Sequence, residues 1–154
     1  MRLSTVLLAS AAGVVLLSHA YARGAGVCKP GADDDVVRSL PRALVPQAEQ
    51  VFSLHEMPAE QVRRSTVVRC MDGHLLACDR GANLPCGKAN TSRSLKGGNA
   101  WCRQNPDSDF IPAYITGHDT IYEWRCKHGA PVPAATVESV DARGFIAQYW
   151  KPLE

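Results

Sequence analysis

The stretch Ser65–Cys78, STVVRCMDGHLLAC, decides how this chain is read. Ser65–Cys70 is rich in β-branched residues, which suit a pleated, half-buried surface. Asp72-Gly73 supplies the two positive-φ positions of a tight hairpin turn, and His74–Cys78 returns as the second strand. The register follows from the turn: Cys78 should stand opposite Val67 and on the other face from Cys70. Cys70 and Cys78 are therefore not expected to bond to each other.

On the N-terminal side the punctuation is different. Pro46–Leu54 and Pro58–Arg64 each read as a short helix opened by proline, whose missing N–H costs nothing in a first turn. Asp33-Asp34-Asp35 precedes Val36–Leu40, and acidic residues favour a helix start, so a helical turn ended by Pro41 is expected there. Calcium is the other reading of three aspartates, but an EF-hand loop needs alternating ligands, a central Gly and a distal Glu, and none follows in register.

On the C-terminal side, Asp79–Gly98 is poor in apolar residues and rich in Gly, Asn, Ser and Lys. It reads as a long loop held by Cys86, and loops of this length are often functional. Asn99–Asn105 fits a helical turn capped by Asn99 and stopped by Pro106. Ile111–Thr116 is a strand candidate weakened by Pro112. Thr120–Lys127 is the clearest strand, with Tyr122, Trp124 and Cys126 on one face and Glu123 and Arg125 on the other. Val137–Val140, the turn Asp141–Gly144 and Phe145–Trp150 suggest a closing hairpin. Helices followed by strands predict an α+β fold, with short N-terminal helices on one face of a small, mostly antiparallel sheet.

The first 22 residues read as a secretory signal: Met1-Arg2 is a positive start, Val6–Leu17 an apolar run, and Ala20-Tyr-Ala22 an A-x-A cleavage site. The run is too short for a membrane anchor, which needs about 20 apolar residues. No cysteine follows it directly, as lipidation would require. Cleavage leaves Arg23–Glu154, a length that suits one domain. The expected location is the periplasm or the cell exterior. All 6 cysteines lie beyond the signal, and in an oxidising compartment they would form three disulfides. Core faces and strand ends favour Cys70–Cys126; Cys86–Cys102 would then staple the long loop to the short helical turn, leaving Cys28 to tie the N-terminal lead to Cys78.

Two segments, Gly81–Arg93 and Thr116–Cys126, together with the closing Gln148–Pro152, resemble small, uncharacterised exported proteins of alphaproteobacteria. The resemblance runs from about Met57 to Leu153 and implies the periplasm without implying an activity. Tyr122–Cys126 also loosely resembles a strand of the periplasmic inhibitors of c-type lysozyme, whose Ser-Gly-x-x-Tyr loop has no counterpart here.

The formal net charge of +2 and the absence of any long Lys/Arg run offer no case for nucleic acid. A cysteine nucleophile would need a free thiol near His118-Asp119, and an exported thiol among other cysteines is normally oxidised. No G-x-S-x-G elbow surrounds Ser92, Ser94 or Ser108. Cys70-x3-His74-x3-Cys78 and Cys126-Lys-His128 point only weakly to a metal, since a hairpin scatters the first set. No metal or other cofactor is expected.

The 79–98 loop is the leading binding candidate. Arg80, Lys88, Arg93 and Lys96 face one acid, Asp79, while Asn83, Asn90, Thr91 and Ser92 add neutral hydrogen-bonding groups. Such a surface suits an anionic or polyhydroxylated partner, an envelope protein or a glycan. The expected function is a non-catalytic binding module of the cell envelope. A small periplasmic hydrolase using His118, with Asp119, is the alternative, and a purely structural or stress-related protein is a third.

Overall fold

The computed structural model describes residues 27–81 and 83–153. Residues 1–22, expected to be a secretory signal, and the expected cleavage point lie outside them.

The hairpin forms as its sequence requires. Strand β2 (Thr66–Met71) pairs antiparallel with β3 (His74–Asp79), and Val67 stands opposite Cys78. Asp72 and Gly73 adopt φ of 52° and 78°, both left-handed, as a two-residue turn of this twist demands. Gly73 is required twice over, because a Cβ there would sit 2.6 Å from the Gly31 nitrogen.

Two short strands complete an antiparallel sheet of order β1-β2-β3-β6. They are β1 (Arg38–Ser39), beside β2, and β6 (Lys151–Pro152), beside β3. The Asp33–Leu40 segment is thus extended, not helical. Asp34 donates its N–H to the Cys70 carbonyl and Leu40 donates to Thr66, so the segment's donors are met by the edge of β2. Pairing with a formed strand, and burial of Leu40, outweigh the local preference of three aspartates for a helix start.

Helices α1 (Val45–Phe52) and α2 (Ala59–Ser65) form as expected, with Pro46 in the first turn of α1 and Pro58 as the N-cap of α2. They cover one sheet face. Val45, Ala48 and Val62 meet Val68, Leu75 and Ala77, joined by Leu40, Leu44 and Leu153. The opposite face packs Val67 and Cys78 against Cys86, Phe145 and Trp150.

Past the long loop come α3 (Gly98–Gln104), α4 (Ala113–Thr116) and a separate two-stranded ribbon, β4 (Tyr122–Lys127) with β5 (Ala130–Thr136). Trp124 and Cys126 face inward against Cys102 and Ile111, as the alternation in β4 predicts. Ile111–Thr116 is not a strand. Pro112 instead caps α4, where its fixed φ and missing N–H fit a helix entrance.

The closing hairpin also differs. Residues 137–150 form no hairpin strands: they hold isolated bridges, Val140 to Ile146 and Phe145 to Lys88, and a 3-10 turn at Ala147–Tyr149. The hairpin partner of β4 is β5, which carries Pro131 and Pro133. Both stand at positions where β4 turns its backbone outward. Cys126 donates to Ser108, and the Trp124 carbonyl accepts from Ile111. The proline nitrogens therefore point away from β4, and no ladder bond is lost.

All six cysteines are bonded, as Cys28–Cys70, Cys78–Cys86 and Cys102–Cys126. The expected pairs Cys70–Cys126, Cys86–Cys102 and Cys28–Cys78 are all replaced. Cys70 and Cys126 lie in different sheets. Cys28 packs on the helix-covered face, the side of Cys70, whereas Cys78 faces the other way. With Cys78 and Cys126 so placed, Cys86 and Cys102 each bond the nearer partner. Three disulfides belong to an oxidising compartment. Among the described residues no helix is long and apolar enough to cross a membrane.

Candidate functional site

The 79–98 loop has almost no regular structure, yet it is fixed along its length. Arg80 donates its N–H to Ser65 at 2.9 Å, and the Cys78–Cys86 bond closes the first half. Ala89 then donates to the Gly144 carbonyl at 2.8 Å and Asn90 to Asp119 at 2.7 Å. Ile121 returns a bond to Asn90 at 3.2 Å. The Asn90 side chain accepts the Ser92 N–H at 3.0 Å and so shapes the next turn.

These anchors sort the expected binding residues. Arg80 and Asn83 stand exposed in the first half. Arg93 is exposed and holds its guanidinium 5.3 Å from the centre of the Tyr122 ring. Asn90 is half-buried and acts as an anchor. Lys88 is not a free loop cation: its Nζ donates to Asp35 Oδ2 at 2.5 Å, while Arg143 Nε donates to Asp35 Oδ1 at 2.8 Å. The Lys88 hydrogen bond, seconded by that of Arg143, holds the Asp35 carboxyl below the usual range. Asp35 and Arg143 are thus site residues that sequence reasoning did not find. The aspartate triplet was a visible charge signal, but nothing in the sequence sets position 35 beside position 143.

Beneath this surface lies a buried charge. Arg69 projects from β2 with its side chain fully enclosed, its guanidinium 4.2 Å from the Phe145 ring centre and 4.6 Å from that of Trp150. It pairs with Oδ2 of Asp141, which is only 8% exposed. The other Asp141 oxygen accepts the N–H groups of Arg143 at 2.8 Å and Phe145 at 3.1 Å. One carboxylate therefore ties the 141–145 turn to the sheet and fixes the backbone that carries Arg143.

His118 is exposed next to Gly117, whose φ is 84°. Asp119 offers its backbone carbonyl to Asn90, so the 118–119 pair borders the loop. The serines serve local turns: Ser92 Oγ donates to the Ser94 carbonyl and Ser108 Oγ to that of Phe110. All cysteines are in disulfides, so neither a thiol nucleophile nor a Cys-containing metal set is available. Among the described residues no three His, Cys, Asp or Glu side chains gather as metal ligands. A shallow depression of about 590 Å³ lies at the α1–α2 connection, bordered by Leu54, His55 and Met57. A smaller one of about 330 Å³ lies beside Met71, His74 and Pro152. Neither includes His118 or the basic loop residues.

Of the three tryptophans, Trp124 and Trp150 are buried and Trp101 is half-buried in the middle of α3, edge-on to the exposed Tyr114 at 6.3 Å. The chain matches no protein-family model, no curated protein and no solved structure.

Proposed function

We propose that this chain is an exported, periplasmic binding module without catalytic chemistry, engaging an anionic or polyhydroxylated envelope partner through the 79–98 loop. The observation that carries this reading is the anchoring of the loop. A disulfide and a series of backbone bonds hold it while Arg80, Asn83 and Arg93 remain exposed. Ordering a loop on binding subtracts from affinity, and here the fold has already met much of that cost. Three disulfides support an oxidising compartment, and the signal-like sequence at 1–22 supports export to reach it.

The test is capture from envelope extract on the immobilised, oxidised chain, with bound proteins and glycans identified by mass spectrometry. Arg80→Ala/Arg93→Ala should lose most of the captured partner while its unfolding midpoint stays close to wild type, since exposed substitutions shift stability by only about 0.5 kcal/mol. Capture unchanged by the double substitution would place the functional surface elsewhere. Turnover of an envelope substrate that is abolished by His118→Ala would replace this reading with a hydrolase.

A further inference from the structure

We infer that Lys88 and Arg143 form a carboxylate-recognition site for an acidic segment of a partner protein, and that Asp35 occupies it as an internal stand-in. The inference rests on the binding reading above and adds a regulation to that surface.

The two cations grip opposite oxygens of one carboxylate, as a receptor for an acidic side chain would. All three side chains remain open to water: Lys88 is 53% exposed, Asp35 40% and Arg143 37%. An exposed ion pair is worth little and exchanges readily. The cations stand on a fixed frame. The bridge between Lys88 and Phe145, the Ala89–Gly144 hydrogen bond and the buried Arg69–Asp141 pair hold both backbones in place.

Asp35 stands on a less regular support. It lies between the Cys28–Cys70 bond and the two-residue strand β1, in a segment with no regular structure of its own. This strap, residues 29–37, is held at Asp34 by the Cys70 carbonyl and ends at β1, so it is the exposed Asp35 side chain that can turn away from the two cations without disturbing them. Asp33 and Asp34 flank it and add to the field on Arg143. A partner that resembles the strap, with adjacent Asp or Glu side chains on an extended chain, matches both the bidentate contact and the surrounding charge. This favours a protein segment over a uronate glycan, whose carboxylates are set a full sugar ring apart.

The probe is poly-L-glutamate, titrated at low salt against the oxidised chain. Asp35→Asn removes the internal competitor and leaves both cations, so affinity should rise roughly two- to five-fold, the range an exposed pair can contribute. Asp35→Ser should give the same rise. Adding Lys88→Gln and Arg143→Gln should abolish it, with near-UV circular dichroism confirming that each variant keeps its fold. No gain in either Asp35 variant, or a gain that survives loss of both cations, overturns the inference. A gain for polygalacturonate without one for poly-L-glutamate overturns it in favour of a glycan site. If Arg80→Ala/Arg93→Ala still loses the envelope partner while Asp35→Asn gains nothing, the inference falls and the binding reading stands. If the double substitution changes nothing, the binding reading itself falls.

Discussion

Replacing Asp141 with Asn should unfold this protein far more readily than removing the arginine that it pairs with. The reason lies in what each change leaves behind. Asn keeps an oxygen where Oδ1 accepts the Arg143 and Phe145 N–H groups. It puts an N–H2 where Oδ2 accepts from Arg69, so a donor faces a donor. Arg69 then remains fully buried, charged and uncompensated, with its Nε already lacking a hydrogen bond. Breaking one side of a buried pair costs about 3–5 kcal/mol. The rings of Phe145 and Trp150 offset only part of this, about 1–2 kcal/mol for a desolvated cation over aromatic faces. Arg69→Met removes the charge together with its need for a partner and fills the same slot between the rings. Such replacements are often neutral or stabilising, so a cost within about 1 kcal/mol is expected. Urea unfolding of the oxidised protein, followed by tryptophan fluorescence, measures both. With a slope of roughly 1.5 kcal/mol per molar, Asp141→Asn should lower the midpoint by roughly 2 M and Arg69→Met by well under 1 M. Equal losses for the two variants, or a negligible loss for Asp141→Asn, would refute the claim that an uncompensated guanidinium is what matters.

Non-reducing peptide mapping should recover Cys28–Cys70, Cys78–Cys86 and Cys102–Cys126; a Cys70–Cys126 peptide would contradict the two-sheet arrangement. The Cys28–Cys70 bond spans 42 residues and Cys78–Cys86 only 8, so serine pairs at these sites should cost about 4 and about 2.5 kcal/mol by the loop-entropy rule, and a reversed order in chemical denaturation would refute that account. Gly73→Ala should destabilise by about 2 kcal/mol or more, through its positive φ and the close Gly31 nitrogen, and an unchanged melting temperature would show that the turn is misjudged. The carboxyls of Asp34 and Asp35 are held below their unfolded values, by the Arg38 hydrogen bond and by those of Lys88 and Arg143. Their contribution is therefore present above about pH 4 and lost as pH falls through the depressed folded values, so in urea unfolding against pH Asp35→Asn should lower stability slightly near neutrality, leave it unchanged at acid pH and flatten the slope between.

Local signals made part of this fold legible. The Asp72-Gly73 turn fixed the register of β2 and β3, and the prolines at 46 and 58 marked the starts of α1 and α2. The same reliance on proline concealed β5, because Pro131 and Pro133 read as strand breakers unless the neighbouring edge is known. Gly129, two residues after the clearest strand, was the usable signal for that hairpin, and the structure has both His128 and Gly129 at positive φ. The disulfide pairing was hidden because it depends on which sheet and which face each cysteine reaches. In the site, the exposure of Arg80, Asn83 and Arg93 followed from loop composition. The capture of Lys88 by Asp35 did not, since 53 positions separate them and only the tertiary fold closes the gap.

The prolines of β5 have an effect on other molecules as well. A two-stranded ribbon exposes a free edge, and a row of unused N–H donors on such an edge can template a strand from a second chain. Pro131 and Pro133 direct ring carbons, not N–H donors, outward at alternate positions. An incoming strand would meet carbonyls there without the donors needed to complete a ladder. The prolines thereby disfavour edge-to-edge pairing of the ribbon with a second chain, and replacing both with valine would restore the missing donors while leaving the bonds to β4 intact.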